Sequence, residues 1–338
     1  MARQRCFKGW GFRAIVIRQQ LARDVAGTMP DARKLIIDCD PGTDDAIALF
    51  LALASPELDV RLVTAVGGNV GLHHTLANAR ALVGLSGRAV PVVGGADRPL
   101  LGGFVPELRV HGANGIGGVV LPEGPAASAG FAADAIRAVL RAAGPSEITL
   151  VGIGPATNLA LALATEPSLT DRIAEIVLMT GAWAEGNVTP AAEFNAWNDP
   201  EALAIVLACG RPVTLATLEL TAQALCMPEW RAAMNAKAGG RCWRAALDIM
   251  ATVPAARRLG TTGHPQHDAC AIAWLAAPGL FTTREVFAAV DTGPEPGRGR
   301  TVIDRWGKLP NPRNARTLET VDAPGFFALL EDRIPTLP

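Results

Sequence analysis

Residues 34–46 read Lys34-Leu35-Ile36-Ile37-Asp38-Cys39-Asp40-Pro41-Gly42-Thr43-Asp44-Asp45-Ala46. Three apolar residues running into a polar, turn-forming segment read as a short buried strand, and residues 46–54 then read as a helix. Gly42 is expected to allow the tight turn between the two. The same grammar recurs downstream. Residues 60–66 read as a strand ending in Gly67-Gly68-Asn69, 74–85 as a helix, and 90–93 as a strand ending in Gly94-Gly95. Residues 131–143 form an amphipathic helical pattern, and 148–153 an apolar strand that stops at Gly154-Pro155. Residues 158–165 read as a helix and 173–179 as a strand ending at Thr180-Gly181. Strands alternating with helices predict an α/β fold: one large domain over residues 33–338, Rossmann-like, with a mostly parallel central sheet and helices on both faces. Residues 184–194 and 222–266 carry weaker strand signals and are expected to form insertions or a helical cap around a cleft. No repeat or low-complexity linker divides the chain.

Of the 338 residues, 49% are hydrophobic, enough for a large core, while the 19% that are charged nearly cancel to a net −1. That balance leaves no electrostatic footprint for nucleic acid or an anionic membrane surface. No apolar run reaches the roughly 18 residues a membrane span needs. The six cysteines are scattered without a CxxC pair, a pattern of small buried hydrophobes in a reducing compartment rather than of a disulfide framework or zinc ribbon. A cytoplasmic protein acting on a small, mostly uncharged molecule is the expectation. Residues 1–32 are read apart, as an N-terminal extension without ordered structure or the product of an upstream start. In the first 30 residues the basic side chains, such as Arg3, Arg5 and Lys8, face one acid, Asp24, and Ala14-Ile15-Val16-Ile17 is too short for a secretory core.

The polar residues fall after apolar strands, where ligands bind in an open parallel sheet. Asp38, Asp40, Asp44 and Asp45 lie within eight residues. Each carboxylate raises its neighbours' pKa, a cost that a bound cation removes. All-oxygen donors favour a hard ion, Ca²⁺ or Mg²⁺. Helix capping accounts for one or two of these acids, not for four. The same DxDxxxDD run also fits a Mg²⁺-dependent phosphohydrolase with Asp38 as nucleophile. Against that, Gly42 stands where such enzymes want Thr or Val, and no lysine falls between Lys34 and Lys237.

At these residues the chain resembles the inosine–uridine-preferring nucleoside hydrolases. Residues 34–46 match that family's opening signature. Four further stretches agree in order and spacing: Val66-Gly67-Gly68-Asn69-Val70; His111-Gly112-Ala113-Asn114-Gly115-Ile116-Gly117; Glu185-Gly186-Asn187 with Ala192-Glu193-Phe194-Asn195 and Asp199-Pro200-Glu201-Ala202; and His267-Asp268. The likeness runs from about Lys34 to near Leu330. It implies the nucleoside hydrolase fold, hydrolysis of the N-glycosidic bond of ribonucleosides to ribose and free base, Ca²⁺ as cofactor, and a homodimer or homotetramer serving purine or pyrimidine salvage.

The resemblance also implies roles. Asp40, Asp45 and Asp268, with the backbone carbonyl of Ile153, would hold Ca²⁺, and Asp40 would be the general base toward a Ca²⁺-bound water. Asp38 would orient these ligands from behind. Asp44 would hold the ribose 2′-hydroxyl, Asn195 the 3′-hydroxyl, and Asn187 with Glu193 the 5′-hydroxyl, with Asn69 also facing the sugar and Phe194 lining the pocket. The glycosidic bond breaks through an oxocarbenium-like state that surrounding carboxylates stabilise. His267, beside Asp268, would protonate the leaving base, and His111 would contact the base. A nucleoside-binding protein without turnover is the non-enzymatic alternative, which the intact Asp40, His267 and Asp268 oppose.

Some residues draw blander readings. Asn158 is expected to cap its helix, Trp183 to belong to the core rather than stack on a base, and His73 and His74 to lie on the surface. One departure from the family bears on the base. The chain has no tyrosine, whereas relatives often place one just before the residue matching His267. Here that stretch offers Arg257, Arg258, Thr262 and His264, of which Arg257 or His264 would have to make the contact.

Overall fold

The computed structural model describes residues 32–256 and 260–338. The extension read over residues 1–32, except its last residue, and the candidates Arg257 and Arg258 lie outside the described residues. The strands are β1 (Arg33–Cys39), β2 (Leu58–Ala65), β3 (Val92–Gly94), β4 (Ile148–Gly152), β5 (Ile173–Met179), β6 (Val213–Ala216), β7 (Leu225–Cys226), β8 (His264–Pro265), β9 (Phe281–Val290), β10 (Thr301–Asp304) and β11 (Ala315–Val321). The α-helices are α1 (Thr43–Ala54), α2 (Leu72–Ser86), α3 (Leu108–His111), α4 (Ala132–Ala142), α5 (Thr157–Thr165), α6 (Phe194–Asn198), α7 (Pro200–Leu207), α8 (Leu218–Thr221), α9 (Pro228–Asn235), α10 (Arg241–Thr252), α11 (His267–Ala276) and α12 (Ala323–Arg333).

Nine strands form one sheet in the order β10-β9-β11-β6-β5-β4-β1-β2-β3. From β11 to β3 every neighbouring pair is parallel, and β9 runs antiparallel to both β11 and β10. The mostly parallel sheet read from the sequence is therefore present, as one domain. β9 and β11 escape a periodicity reading because β9 starts with a run of four polar residues after Phe281 and β11 carries polar pairs between single apolar residues, so neither shows a strand period of two.

Successive side chains of a strand point to opposite faces, and the two cores sort accordingly. Leu35, Ile37 and Val151 pack with α1, α2, α10, α11 and α12 on one face. Ile36, Leu150 and Ile176 pack with α4, α5 and α7 on the other. Continuous apolar runs are what a strand covered on both faces requires. The same alternation sends Asp38, two residues after Ile36, toward α5, where it meets Asn158.

The chain leaves β1 to build β2 and β3 on one side, and later β4, β5 and β6 on the other. The reversal lies between β1 and β4, and crevices outside the strand ends at such a switch point are where open α/β sheets bind ligands. Asp40 follows β1, and Ile153, whose N–H donates to the Asp38 carbonyl at 2.9 Å, follows β4. Within the stretch expected to form a cap, α10 is a core helix with Trp243 only 1% exposed. The cleft wall there is the short β7–β8 ladder with the segment that follows α10. Gly42 corrects the turn argument. Its backbone is extended (φ −94°, ψ −162°), and what excludes a side chain is space, since a Cβ would lie 2.5 Å from both Asn69 Nδ2 and His111 Nδ1.

Candidate active site

The end of β1 drops an acidic loop into the switch point, and the loop is held by its own backbone. Asp45, in the first turn of α1, accepts from the Asp40 N–H at 3.1 Å and the Gly42 N–H at 2.9 Å. Asn69, after β2, ties the loop down from the other side. Its N–H donates to Asp40 Oδ2 at 2.7 Å, and its Nδ2 donates to the Asp40 carbonyl at 3.2 Å and Asp45 Oδ2 at 3.1 Å. Asp38 accepts from Thr64 Oγ and from Asn158 Nδ2. Asn158 is therefore no cap: it sits one residue inside α5, whose N-cap is Ala156, and spans from Asp38 to the Ala96 N–H. Gly68 and Gly154 leave room for Asp40, because a Cβ on either would come within 2.1 or 2.6 Å of a carboxylate oxygen.

Asp38, Asp40, Asp45 and Asp268 are at most 3% exposed, and burial sets their acidity. It pushes Asp45 up to about 7, with Asp44 adding to the push and backbone N–H groups opposing it. Asp38 is also raised to about 7 by burial, against its bonds from Thr64 and Asn158. Burial, then the neighbouring charges (Asp45 for Asp40, Asp44 for Asp268), hold Asp40 and Asp268 well above the usual carboxylate range. Oxygens of Asp44, Asp45 and Asp268 lie within 4.8 Å of one another. Asp40 stands outside that trio, with Oδ1 buried and unpartnered. The Ile153 carbonyl accepts from Asn195 Nδ2 at 3.1 Å.

A cavity of about 390 Å³ opens above this loop. Asp44, Asn69, Ile153 and Asp268 line its acidic side, and Asn187, Glu193, Phe194 and Asn195 line another. Glu193 caps α6, accepting from the N–H groups of Gly181, Asn195 and Ala196 and from Thr180 Oγ. Asn187 accepts from the Phe194 N–H at 2.9 Å, so the two stretches expected to grip one end of a sugar close on each other. His111 is fixed by the Thr43 N–H, which donates to its Nδ1 at 3.1 Å. The proton therefore sits on Nε2, in keeping with the depressed pKa that burial gives this imidazole. At the start of α11, His267 Nδ1 lies 2.7 Å from Thr221 Oγ.

All the residues read from the sequence as site residues thus gather at this one place. Trp183 does not join them and is not core either: it is 38% exposed and stacks under the Arg305 guanidinium at 4.1 Å. His73 is exposed at the start of α2, and His74 is half-buried beside it. Sequence reasoning missed Thr64, Thr221 and Gln266. Thr64 and Thr221 act through other side chains and carry no motif. Gln266 stands directly before His267, and a buried amide at that position is the signal that could have found it.

The sequence profile of the family described as "Inosine-uridine preferring nucleoside hydrolase" matches residues 35–328. The pyrimidine-specific ribonucleoside hydrolase RihA of Shewanella woodyi is 41% identical over 307 residues, covering 90% of this chain and 98% of that protein. RihA of Escherichia coli O8 is likewise 41% identical with the same coverage. Among solved structures, a plant nucleoside hydrolase, PpNRh1, superimposes with a TM-score of 0.82 at 29% identity, over 90% of this chain and 99% of that one. A purine-preferring ribonucleoside hydrolase from Gardnerella vaginalis does so with a TM-score of 0.80 at 32% identity, over 90% and 98%. With the profile matched over most of the chain and relatives of this identity aligned nearly end to end, the chain belongs to the inosine–uridine-preferring nucleoside hydrolase family and is a ribonucleoside hydrolase, an N-glycosidase.

Proposed function

We propose that this enzyme hydrolyses pyrimidine ribonucleosides, with Asp40 as general base and Ca²⁺ held by the acidic loop. The observation that carries the reading is the convergence of Asp38, Asp40, Asp44 and Asp45 with the distant Asp268 beneath one cavity rimmed by amides. The preference for pyrimidines rests on the names of the 41% identical relatives. Asp40, Asp45, Asp268 and the Ile153 carbonyl would hold the ion, and Asp44, close to Asp45 and Asp268, would stand at the cation and the 2′-hydroxyl together. Buried carboxylates pushed toward neutrality and an orphaned Asp40 Oδ1 fit a missing positive charge. Donors made only of oxygen fit a hard ion. When bound, the cation supplies Lewis-acid polarisation of water and the sugar diol.

The chain's own residues supply the rest. Asp40 must be ionised to act; burial first, and then the charge of Asp45, raise its pKa, and a nearby positive charge would lower it. It then takes a proton from the water whose oxygen attacks C1′. The C1′–N bond breaks as that bond forms, and the electron pair leaves on the base. Asn195, Asn187 and Glu193 position the sugar by its 3′- and 5′-hydroxyls, with Asn69 beside them, so that C1′ meets the water in a fixed orientation. Asp38 holds the loop from below through Asn158. The imidazolium of His267 keeps Nδ1–H on Thr221 Oγ and gives its Nε2 proton to the leaving base. His111 offers Nε2–H as a base contact. The family resemblance extends the proposal to a homodimer or homotetramer working in cytoplasmic salvage. Purified enzyme with Ca²⁺ is expected to release free ribose from uridine and cytidine faster than from inosine; phosphate release from nucleotides without ribose would overturn the reading.

A further inference from the structure

Among the described residues that line the cavity, two side chains hold a buried polar atom without a hydrogen-bond partner: His264 at Nε2 and Gln266 at Oε1. They are 2% and 1% exposed. A buried acceptor left unpaired costs about 1–3 kcal/mol, and such groups are rare enough in folded proteins that each calls for a reason. Other orphans, such as Trp243 Nε1 and Thr217 Oγ, do not line the cavity. These two sit on the same short segment, in extended backbone two residues apart, which is the spacing that sends side chains to one side. The segment is rigid. β8 pairs with β7 through the His264–Cys226 and Pro265–Leu225 registers, and the Gln266 N–H donates to the Ala224 carbonyl at 3.0 Å.

The neighbourhood gives the ligand's chemistry. Gln266 immediately precedes His267 and Asp268, so whatever meets its amide lies beside the leaving-group end of the site. The apolar residues Val110, Val188, Val253, Pro254 and Ala255 line the same cavity. An apolar slot with one polar strip suits a flat ring with hydrogen-bonding groups on its edge. We infer that Gln266 and His264 are the specificity-determining residues that read the edge of the nucleobase. This rests on the nucleoside reading above. The carboxamide presents one acceptor and one donor side by side, and the contact of Nε2 with the Pro265 carbonyl, at 3.5 Å, is too long to lock it. Turned by 180°, it pairs with N3–H and the C4 carbonyl of uracil or with N3 and the C4 amine of cytosine. His264 closes the strip as an uncharged partner: burial and the nearby Arg231 pull its imidazole down to about 4, so at neutral pH it meets the base without a charge.

The test compares substrates with and without that edge: uridine and cytidine, 3-methyluridine, and 4-nitrophenyl β-ribofuranoside, which keeps the sugar and lacks the base. Gln266→Met and His264→Phe are expected to lower kcat/KM for uridine and cytidine by about 10- to 100-fold, the size of a hydrogen bond left unmade in a buried site. The nitrophenyl riboside should stay within about 3-fold, because no base contact is lost from it. Native enzyme should cleave 3-methyluridine about 10-fold or more worse than uridine, and Gln266→Met should add little further loss, since both changes remove one interaction. Equal losses on the nitrophenyl riboside and on uridine, unchanged uridine cleavage in both variants, or native enzyme indifferent to the 3-methyl group would overturn the assignment. The last measurement needs no variant and decides the matter if a substitution at these buried positions prevents folding. Failure to cleave the riboside and every nucleoside would instead bring down the hydrolase reading itself.

Discussion

The two sides of the cavity are built by opposite rules. On the strand-end side, polar atoms are almost all spoken for within the protein: Glu193 accepts four hydrogen bonds, Asp45 three and Asn195 gives two to backbone carbonyls. What is missing there is positive charge, and Asp38 Oδ2 and Asp40 Oδ1 are buried without a partner. On the β7–β8 side the surroundings are apolar, and His264 and Gln266 keep open hydrogen-bonding positions. The contrast teaches how such an enzyme divides its labour. On the proposed reading, the chemistry and the sugar grip demand fixed geometry, so the chain over-determines them; selection of the leaving group would need only an apolar slot and a short polar strip.

Each of the following experiments strikes one side and should leave the other standing. The largest effect is expected from Asp40→Ala, which should cut kcat by about 10⁴-fold, the upper range for loss of a general base. The metal-free protein should keep its fold, since one member of a like-charged buried cluster is gone. His267→Ala should lower uridine hydrolysis by about 10²-fold or more, yet barely touch a riboside whose nitrophenolate leaves without a proton. An equal loss on both would deny His267 its role as acid. Asn195→Ala should raise KM and lower kcat together, about 10- to 100-fold in kcat/KM, measured by ribose release.

The fourth concerns stability. Burial raises Asp38 and Asp45 to about 7 in the folded chain, against about 4 for an unfolded aspartate. Between those values the folded form holds protons that the unfolded chain has released, so stability of metal-free protein should fall as pH rises from about 4 to 7. On the proposed reading Ca²⁺ would bind the ionised carboxylates, so saturating Ca²⁺ should flatten that slope and raise Tm by several degrees at about pH 7. A metal-free Tm that climbs across this window would contradict the burial argument. The smallest effect is expected from Trp183→Ala: with the ring outside the cavity under Arg305, kcat/KM for uridine should change by less than about 2-fold.

Much of the strand-end side was legible because its residues are contiguous or follow directly from strand ends. An acidic run after an apolar strand, an amide after the next, and the Asn187–Asn195 block each announce themselves within a few residues. The supporting contacts were not legible. Asn158 reads as a cap by its place near a helix start, and only the pleat of β1, which turns Asp38 toward α5, makes it a holder of the acidic loop. Thr221 reaches His267 across 46 residues, a separation that local patterns do not carry. Gly42 was expected to be needed for its backbone freedom, yet the need is for room, which depends on where Asn69 and His111 arrive.

By itself the sequence settled the class of fold, the mostly parallel order of its central strands and the identity of the acids, because hydrophobic period and like-charge crowding are local properties of a chain. Tertiary structure alone decided how Asp268 arrives: α11 packs against α1 and brings it from the far end of the chain to Asp44 and Asp45. It alone decided the antiparallel edge of β9 and β10, and that a glutamine and a histidine on a two-residue strand stay unpaired in the cavity wall. Those outcomes turn on which segments meet in space and what burial then leaves unsatisfied, and neither is a property of any stretch of sequence taken alone.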